Sequence, residues 1–576
     1  MTDIFKKIIF GEILTRFFLP FDAANRERLN PEYFRWLNDE IPKLADEFIQ
    51  TNKILESDFV KGLNKSFQTH RFNFFASRCV LEYMIKLSNL LNDSLADSAG
   101  PVVLEDNAIH RFAVERFAAK FKISPKVQWK RSGLGERLAQ IFWNILFCLA
   151  FSLKNGLTLR GPRESYKVMR EAVWGLYDVG GYYFHDDFLV DSEKIKQKSF
   201  LLFSRSIPKT GARLKGYEDA RRSPYAHFNL QKLSLGVKPF FGRVIPRYIL
   251  ASSGLLWKEL PSGNFTLFRA IFLYFAFYAL AYERIFSHYR VTSELGHCYF
   301  ASNHIAEAII CENYGTRYYL MHWSDFSIES NRWTVSNLGC DKYLTWGKIH
   351  VQGLSTPYVP TGYVFKRFIC DVAQRKESVL AELGLPNDRR VVSFFDESFD
   401  EICEMTPQHF VNFWRTAYQC ALENPNVTVL IKPKAAERFQ QLPRPLKAQF
   451  EEIRQGIKRT TNFYILDEKK YCFIEAIGVA DIVVSQGMTS SSTIAIICGI
   501  EGLYLDEVGY GHPFAKHFKD KIVFADPEKL LNMIKKILIG NENPCSSIPA
   551  ELLREYDEYN DDRGIDRFRE ILAAGA

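Results

Sequence analysis

From residue 390 onward the sequence alternates short apolar runs with helical ones, and this pattern constrains the fold more than any other feature. Arg390–Phe395 (RVVSFF) reads as a buried strand. Thr406 and Pro407 make an N-cap followed by proline at the first helical position, opening a helix to about Glu423. Further strands follow at Val427–Ile431, Asn462–Leu466, Asp481–Ser485, Leu503–Leu505 and Lys521–Phe524. Helices follow at Tyr471–Val479, Thr489–Cys498 and Pro527–Ile539. Alternation at this spacing argues for a parallel, doubly wound α/β sheet.

The first half shows the same alternation in pieces. Residues 1–98 read as helical, with apolar residues at helical spacing through Ile41–Ile49 and Val80–Leu91. Pro101–Asp106 is a short strand ending in acids, and His110–Lys122 is the helix that follows it. Cys298–Ser302, Thr316–His322 and Asp341–Trp346 read as strands, and His304–Tyr314 as a helix ended by Gly315. Gly353, Pro357, Pro360 and Gly362 mark a loop-like boundary. The expected organisation is a helical region (1–98), an N-terminal Rossmann-like unit with basic and aromatic insertions (99–355), a C-terminal Rossmann-like unit (356–550) and an acidic closing helix (551–576).

The two halves differ in charge. Residues 1–360 hold 47 Lys+Arg and 35 Asp+Glu, a net of +12, while residues 361–576 hold 27 and 32, a net of −5. Segment 194–250 is the densest, with thirteen basic residues against two acidic ones. A basic half suits a phosphorylated lipid carrier, another polyanion or an anionic membrane face; single lysines and arginines also fit a solvated surface. Two apolar runs flank the basic segment, Ile141–Leu153 and Ala270–Tyr282. Thirteen residues is short of the ~20 a bilayer span needs, so these are either buried core helices or a monotopic face. The 11 cysteines include no C-x-x-C, and the 12 histidines no zinc-ligand spacing. Reduced thiols, a cytosolic setting and no metal are expected. The first twenty residues carry Lys6, Lys7, Glu12 and Arg16, so no secretory signal is expected there.

The strongest local constellation runs from Ser485 through Gly487 to Thr489, Ser490, Ser491, Ser492 and Thr493. It reads as strand, glycine loop, then helix. A helix N-terminus with free N–H groups and five hydroxyls suits phosphate oxygens at the carboxyl end of a parallel strand; ordinary capping needs only one such hydroxyl. Lys432-Pro433-Lys434 follows a buried strand, where Lys432 can neutralise a leaving phosphate and Lys434 fits a solvated loop equally well. Asp396-Glu397 after the first strand faces an expected cleft. Asp481 reads as structural. Candidates for a general base are Asp106 (beside Glu105), His185 with Asp186 and Asp187, and His322 with Asp325. Any one of them taken alone also fits a hydrogen-bonded loop residue.

The order of Thr345-Trp346-Gly347, Val359–Tyr363, Ala480-Asp481, Ser490-Ser491, Gly499 and Tyr504-Leu505-Asp506, closed by Asp557–Leu572 around Gly564 and Arg567, resembles GT-B glycosyltransferases. Bacterial surface-polysaccharide (capsule or O-antigen) biosynthesis proteins are the nearest likeness. The resemblance covers about 290–572, more loosely 101–250, and not 1–98. It implies two Rossmann-like domains facing a cleft, with a nucleotide-sugar donor on the C-terminal one and a lipid-linked glycan acceptor on the other. It implies no metal or cofactor. The working place would be the inner face of a bacterial cytoplasmic membrane, and nucleic acid is not an expected partner. Two departures stand out. The family's Lys-x-His-Pro reads Lys432-Pro433-Lys434 here, and the helix after Ser485 lacks the glutamate common in retaining enzymes. CMP- and UDP-linked donors both remain open; Glu105-Asp106-Asn107 with Ser490-Ser491 faintly resembles the motifs of transferases using CMP-activated acidic sugars. The alternatives are a teichoic-acid-type polyol-phosphate transferase using a CDP-polyol, a non-catalytic nucleotide-binding assembly module, and a nucleotide-sugar epimerase.

Overall fold

A computed structural model describes Trp36 and most of residues 40–574. Outside the described residues lie 94–100, 172–199, 205–225, 297–301, 325–337, 352–355, 400–404, 468–470 and a few shorter stretches. The expected bases His185, Asp186, Asp187 and Asp325 fall there, as do nine of the thirteen basic residues of segment 194–250 and most of the strand expected at Cys298–Ser302.

Three helices come first, α1 (Ile41–Thr51), α2 (Asp58–Phe67) and α3 (Phe72–Asp93). α1 buries Ile41, Ala45, Phe48 and Ile49, the single face expected of 3.6-residue periodicity. Ser57 caps α2 by accepting the Val60 N–H at 3.3 Å. Next come β1 (Val102–Glu105), α4 (Ala108–Phe121) and β2 (Val127–Lys130). Among the described residues this β-α step does not enter a larger sheet: β1 and β2 pair with each other alone.

The chain continues through α5 (Leu134–Leu153), β3 (Leu157–Thr158), β4 (Glu164–Glu171), β5 (Phe200–Ser204), β6 (Ala226–Asn229) and β7 (Leu235–Gly236). After these come α6 (Phe265–Phe286), β8 (Tyr289–Gly296), α7 (Asn303–Asn313), β9 (Arg317–Met321), β10 (Lys342–Thr345) and β11 (Tyr358–Pro360). Seven of these strands form a parallel sheet in the order β11-β10-β9-β8-β4-β5-β6. β11 carries this sheet to residue 360, past the expected end at 355, because an edge strand tolerates Pro357 and Pro360 where a central one would not. The helices α5 and α6 have 20 and 22 residues, longer than the 13-residue apolar runs inside them, so length does not exclude a span.

The second half contains α8 (Lys366–Gln374), β12 (Arg390–Phe395), α9 (Pro407–Glu423), β13 (Val427–Lys432), α10 (Arg444–Lys458), β14 (Phe463–Ile465), α11 (Phe473–Gly478), β15 (Ile482–Gln486), α12 (Ser491–Ile497), β16 (Glu501–Leu505), β17 (Val523–Phe524), α13 (Pro527–Leu538), α14 (Ala550–Tyr556) and α15 (Gly564–Ala574). Its six strands are all parallel, in the order β14-β13-β12-β15-β16-β17. Alternate residues of β12 face opposite ways: Val391 and Phe395 enter one apolar cluster, Val392 and Phe394 another. Both faces are thus covered, as a parallel sheet requires.

The first of those clusters reaches across the molecule. Val168, Leu295, Tyr319, Met321 and Leu344 from the seven-stranded sheet share it with Ile565, Phe568 and Leu572 of α15. The other face of the seven-stranded sheet packs with α1–α3 and α6 in a single core. Gly347 and Gly362 allow the close approach of the closing segment. A Cβ on Gly347 would lie 2.3 Å from the Glu555 carbonyl oxygen, and one on Gly362, whose φ is +78°, 2.9 Å from Asp557 Oδ1. Asp557 accepts the Tyr363 N–H at 3.2 Å, and Arg567 donates to the Thr361 carbonyl at 3.0 Å.

Candidate functional site

The six-stranded sheet reverses direction between β12 and β15. The chain runs outward from β12 to β13 and β14, then returns to lay β15 on the opposite side of β12. Ligands of such sheets bind outside the carboxyl ends at this reversal. The register there brings Lys432, Phe395 and Ser485 into one rung across β13, β12 and β15. The residues just beyond the rung are Pro433, Asp396 and Gln486, so the polar groups that follow three buried strands open at one mouth.

Asp396 is buried and held from two sides. Its Oδ1 accepts the Lys434 backbone N–H at 2.5 Å, and its Oδ2 accepts the Trp414 indole N–H at 3.0 Å. Burial pushes its carboxyl up to about 6; the two hydrogen bonds and the Lys432 ammonium pull the other way, and Glu397 adds to the rise. Glu397 donates its backbone N–H to Gln486 Oε1 at 2.9 Å. Its carboxylate accepts the Thr489 hydroxyl at 3.1 Å and pairs with the Lys434 ammonium. Lys432 donates to the Pro433 carbonyl at 3.0 Å. Gly487 takes φ +56°, a left-handed value that turns the chain from β15 towards Thr489.

The hydroxyl run does not act as one set. Thr489 and Ser490 are half-buried at the mouth, and Ser491 is buried. Ser492 and Thr493 point inward, contrary to the expectation that they hold a donor phosphate. Ser492 Oγ lies 2.7 Å from the Leu503 carbonyl and 2.8 Å from Ser485 Oγ, and the Ser492 N–H donates to Ser485 Oγ at 2.8 Å. Thr493 bonds the Tyr504 hydroxyl. The cause is geometric: successive helical residues point about 100° apart, so five in a row cannot face one ligand. α12 has seven residues and spends one of its first N–H groups on Ser485, which also weakens the expected helix-terminus device.

Ser490 reaches the other half of the molecule. Its Oγ lies 3.1 Å from Ser324 Oγ, two residues beyond His322 at the carboxyl end of β9. The loops at the carboxyl ends of the two sheets therefore meet at this mouth. Ser324 and Trp414 do not stand out in the sequence, and Gln486 does so only as a member of the run from Ser485 to Thr493. The signal for them is positional, since each is set by the register of a buried strand or by the helix packed on it.

The first-half candidates separate. Asp106 sits at the end of β1, away from either large sheet. Arg111 and Arg131 hold it at 2.5 and 3.1 Å, and the Arg111 bond leads in keeping its carboxyl below the usual range. That makes it a weak base. His322 is buried, with Nδ1 2.5 Å from the Tyr343 hydroxyl and its ring 4.1 Å from that of His350. Burial first, then His350, holds it well below 6.5, so it stays neutral and enclosed rather than open to an acceptor. Asp481 accepts Lys376 at 2.8 Å and the Val391 N–H at 2.7 Å, the structural role expected of it.

The architecture is α/β, with two parallel Rossmann-like sheets meeting at their carboxyl edges and helices added at the N-terminal side. No protein-family model matches the chain, and no curated protein does. Solved structures align with most of it at low identity. The wall teichoic acid polymerase TagF has a TM-score of 0.42 and 8% identity over 77% of this chain and 97% of its own. The UDP-GlcNAc 2-epimerase of Neisseria meningitidis bound to UDP-GlcNAc has a TM-score of 0.40 and 9% identity, over 72% of this chain and 100% of that one. The α,α-trehalose-phosphate synthase (UDP-forming) of Burkholderia xenovorans in complex with glucose-6-phosphate has a TM-score of 0.39 and 12% identity, over 71% and 100%. These scores transfer no residue's role.

Proposed function

We propose that this chain is a metal-independent glycosyltransferase of the GT-B type that takes its nucleotide-sugar donor at the β12–β15 mouth. The acceptor on this reading is a lipid-linked or growing bacterial surface polysaccharide at the inner face of the cytoplasmic membrane. The observation that carries the donor site is the Lys432–Phe395–Ser485 rung. It gathers two ammonium groups, two carboxylates and the Thr489 and Ser490 hydroxyls at the one place where this sheet reverses. Lys432 suits the charge that develops on a leaving diphosphate. The Glu397 carboxylate suits ribose or sugar hydroxyls, which donate hydrogen bonds to such a group. With Asp106 clamped and His322 enclosed, His185, Asp186, Asp187 and Asp325 are the remaining candidates for the acceptor base.

A nucleotide screen by thermal shift tests the proposal, using CMP, CMP- and UDP-sugars and CDP-glycerol. A ligand at ~100 times its Kd stabilises by ~2.7 kcal/mol. A shift with a nucleotide sugar, cut to about half by Lys432→Ala at the same ligand concentration, supports the reading. A shift with CDP-glycerol alone replaces it by polyol-phosphate transfer, and no shift with any nucleotide refutes it.

A further inference from the structure

The two long apolar helices meet different surroundings. In α6, 72% of the apolar window is buried; in α5 only 22% is. The inner side of α5 is anchored in the protein through Ile141, Asn144, Phe147, Cys148 and Ser152. From Ala139 on, its outward side presents Ala139, Phe142, Trp143, Ala150 and Leu153 with half-buried Leu146 between them, at helical spacing and without a polar residue; the exposed Glu136 lies one turn before. A solvent-facing helix surface is normally polar, so this stripe is the reverse of an ordinary amphipathic helix.

A second segment repeats the feature. The helical stretch 240–257 packs against α5. It exposes Phe241, Pro246, Leu250 and Trp257, while Arg243 and Arg247 turn inward, over the Tyr314 ring and onto Asn313. Phe142, Trp143 and Trp257 are 58%, 44% and 59% exposed. Exposed basic residues bracket both stripes: Lys154 follows α5 and Lys238 precedes the second segment, while Lys130, Arg131 and Lys258 at the other ends are paired with Glu136, Asp106 and Asp58.

We infer that α5 and 240–257 together form a monotopic docking face for an anionic phospholipid bilayer, lying in the interface rather than crossing it. Apolar stripes carrying tryptophan and framed by basic residues match the two layers of such a surface, acyl chains beneath and phosphates around. A second copy of the chain fits less well, because a two-fold contact sets each basic frame against its own like. α5 cannot cross the bilayer while its inner side is built into the core. The inference goes beyond the donor site and does not depend on it, since nucleotide binding in solution needs no lipid.

The test is sedimentation of the full chain with vesicles of phosphatidylcholine and with equimolar phosphatidylcholine and phosphatidylglycerol, at low and high salt. Binding is expected to the anionic vesicles, weakened by salt. The triple variant Phe142→Gln/Trp143→Gln/Trp257→Gln is expected to lose about a hundredfold in partitioning, from half-exposed aromatic surface at each position. Its melting midpoint checks the fold. The charge variant Lys154→Glu/Lys238→Glu, built on exposed positions, is expected to lose anionic selectivity in the same assay. The inference is overturned if the wild type stays in the supernatant with anionic vesicles at low salt. It is equally overturned if the triple variant binds as the wild type does, or if the substitutions abolish a dimer that never bound vesicles.

Discussion

Replacing Ser492 and Ser490 separately by alanine distinguishes a hydroxyl that holds the sheet from one that faces a ligand. Ser492 is fully buried, and its hydroxyl links the Leu503 carbonyl at 2.7 Å to Ser485 Oγ at 2.8 Å, joining α12 to β15 and β16. One buried hydrogen bond contributes about 1 kcal/mol net, and a buried partner left unmatched costs about 1 kcal/mol more, so Ser492→Ala should destabilise by about 2 kcal/mol. The expected drop in melting midpoint is a few degrees, at roughly 2–4 °C per kcal/mol for a large domain. Nucleotide affinity, measured by calorimetric titration below the transition, should not change. Ser490 is half-buried and, among the described residues, its side chain hydrogen-bonds Ser324 alone, at 3.1 Å, so Ser490→Ala should leave the midpoint within about 0.5 kcal/mol of wild type. It should weaken nucleotide binding three- to tenfold, the equivalent of ~1 kcal/mol for one lost hydrogen bond. The reasoning is refuted if Ser492→Ala melts with the wild type while losing nucleotide binding.

Three further outcomes follow from the same structure. Lys432→Ala should weaken nucleoside-diphosphate binding by about tenfold and Lys434→Ala by less, because Glu397 already engages the Lys434 ammonium; equal losses in titration would contradict that pairing. The Asp396 carboxyl titrates near 6 in the folded chain against 3.8 ordinarily, so the native state binds the proton more tightly. Stability from this group therefore falls as pH rises from about 4 to about 6 and then levels, by ~3 kcal/mol at most, and Asp396→Asn should flatten that part of the unfolding profile. Parallel profiles for the two proteins would remove the assignment. Gly347→Ala drives a Cβ into the Glu555 carbonyl and should cost about 2 kcal/mol or more, freeing the 550–574 segment for proteolysis; unchanged resistance would show that the close approach is not needed.

The C-terminal sheet was legible in the sequence because its strands are apolar on both faces and are punctuated by Thr406-Pro407, Gly499 and short polar loops. The N-terminal sheet was less so. β4 reads ESYKVMRE, with charges at four of its eight positions, and Arg170 within it is fully buried, which no periodicity predicts. β1 and its helix look like the first step of a Rossmann unit; tertiary pairing shows that β1 joins β2 and, among the described residues, no other strand. At the candidate site, Lys432 could be placed because it ends a strand, and the Asp396-Glu397 pair because it directly follows one. The direction of five adjacent hydroxyls could not, since it depends on how α12 docks. His322 was misjudged for a related reason: its enclosure is made by Tyr343, Trp346 and His350, which come from later in the chain.

The return of α15 onto the first sheet sets an order on biosynthesis. Val168, Leu295 and Leu344 leave the ribosome long before Ile565, Phe568 and Leu572, with which they share one apolar cluster. One face of the seven-stranded sheet therefore remains wet through most of translation, whatever the state of its other face against α1–α3. The N-terminal half acquires its full stability only after residues 565–572 have emerged, and a stalled or truncated chain presents that bare face to chaperones and proteases. Quality control of this protein is thus tied to completion of the segment around Arg567 rather than to the folding of either sheet alone.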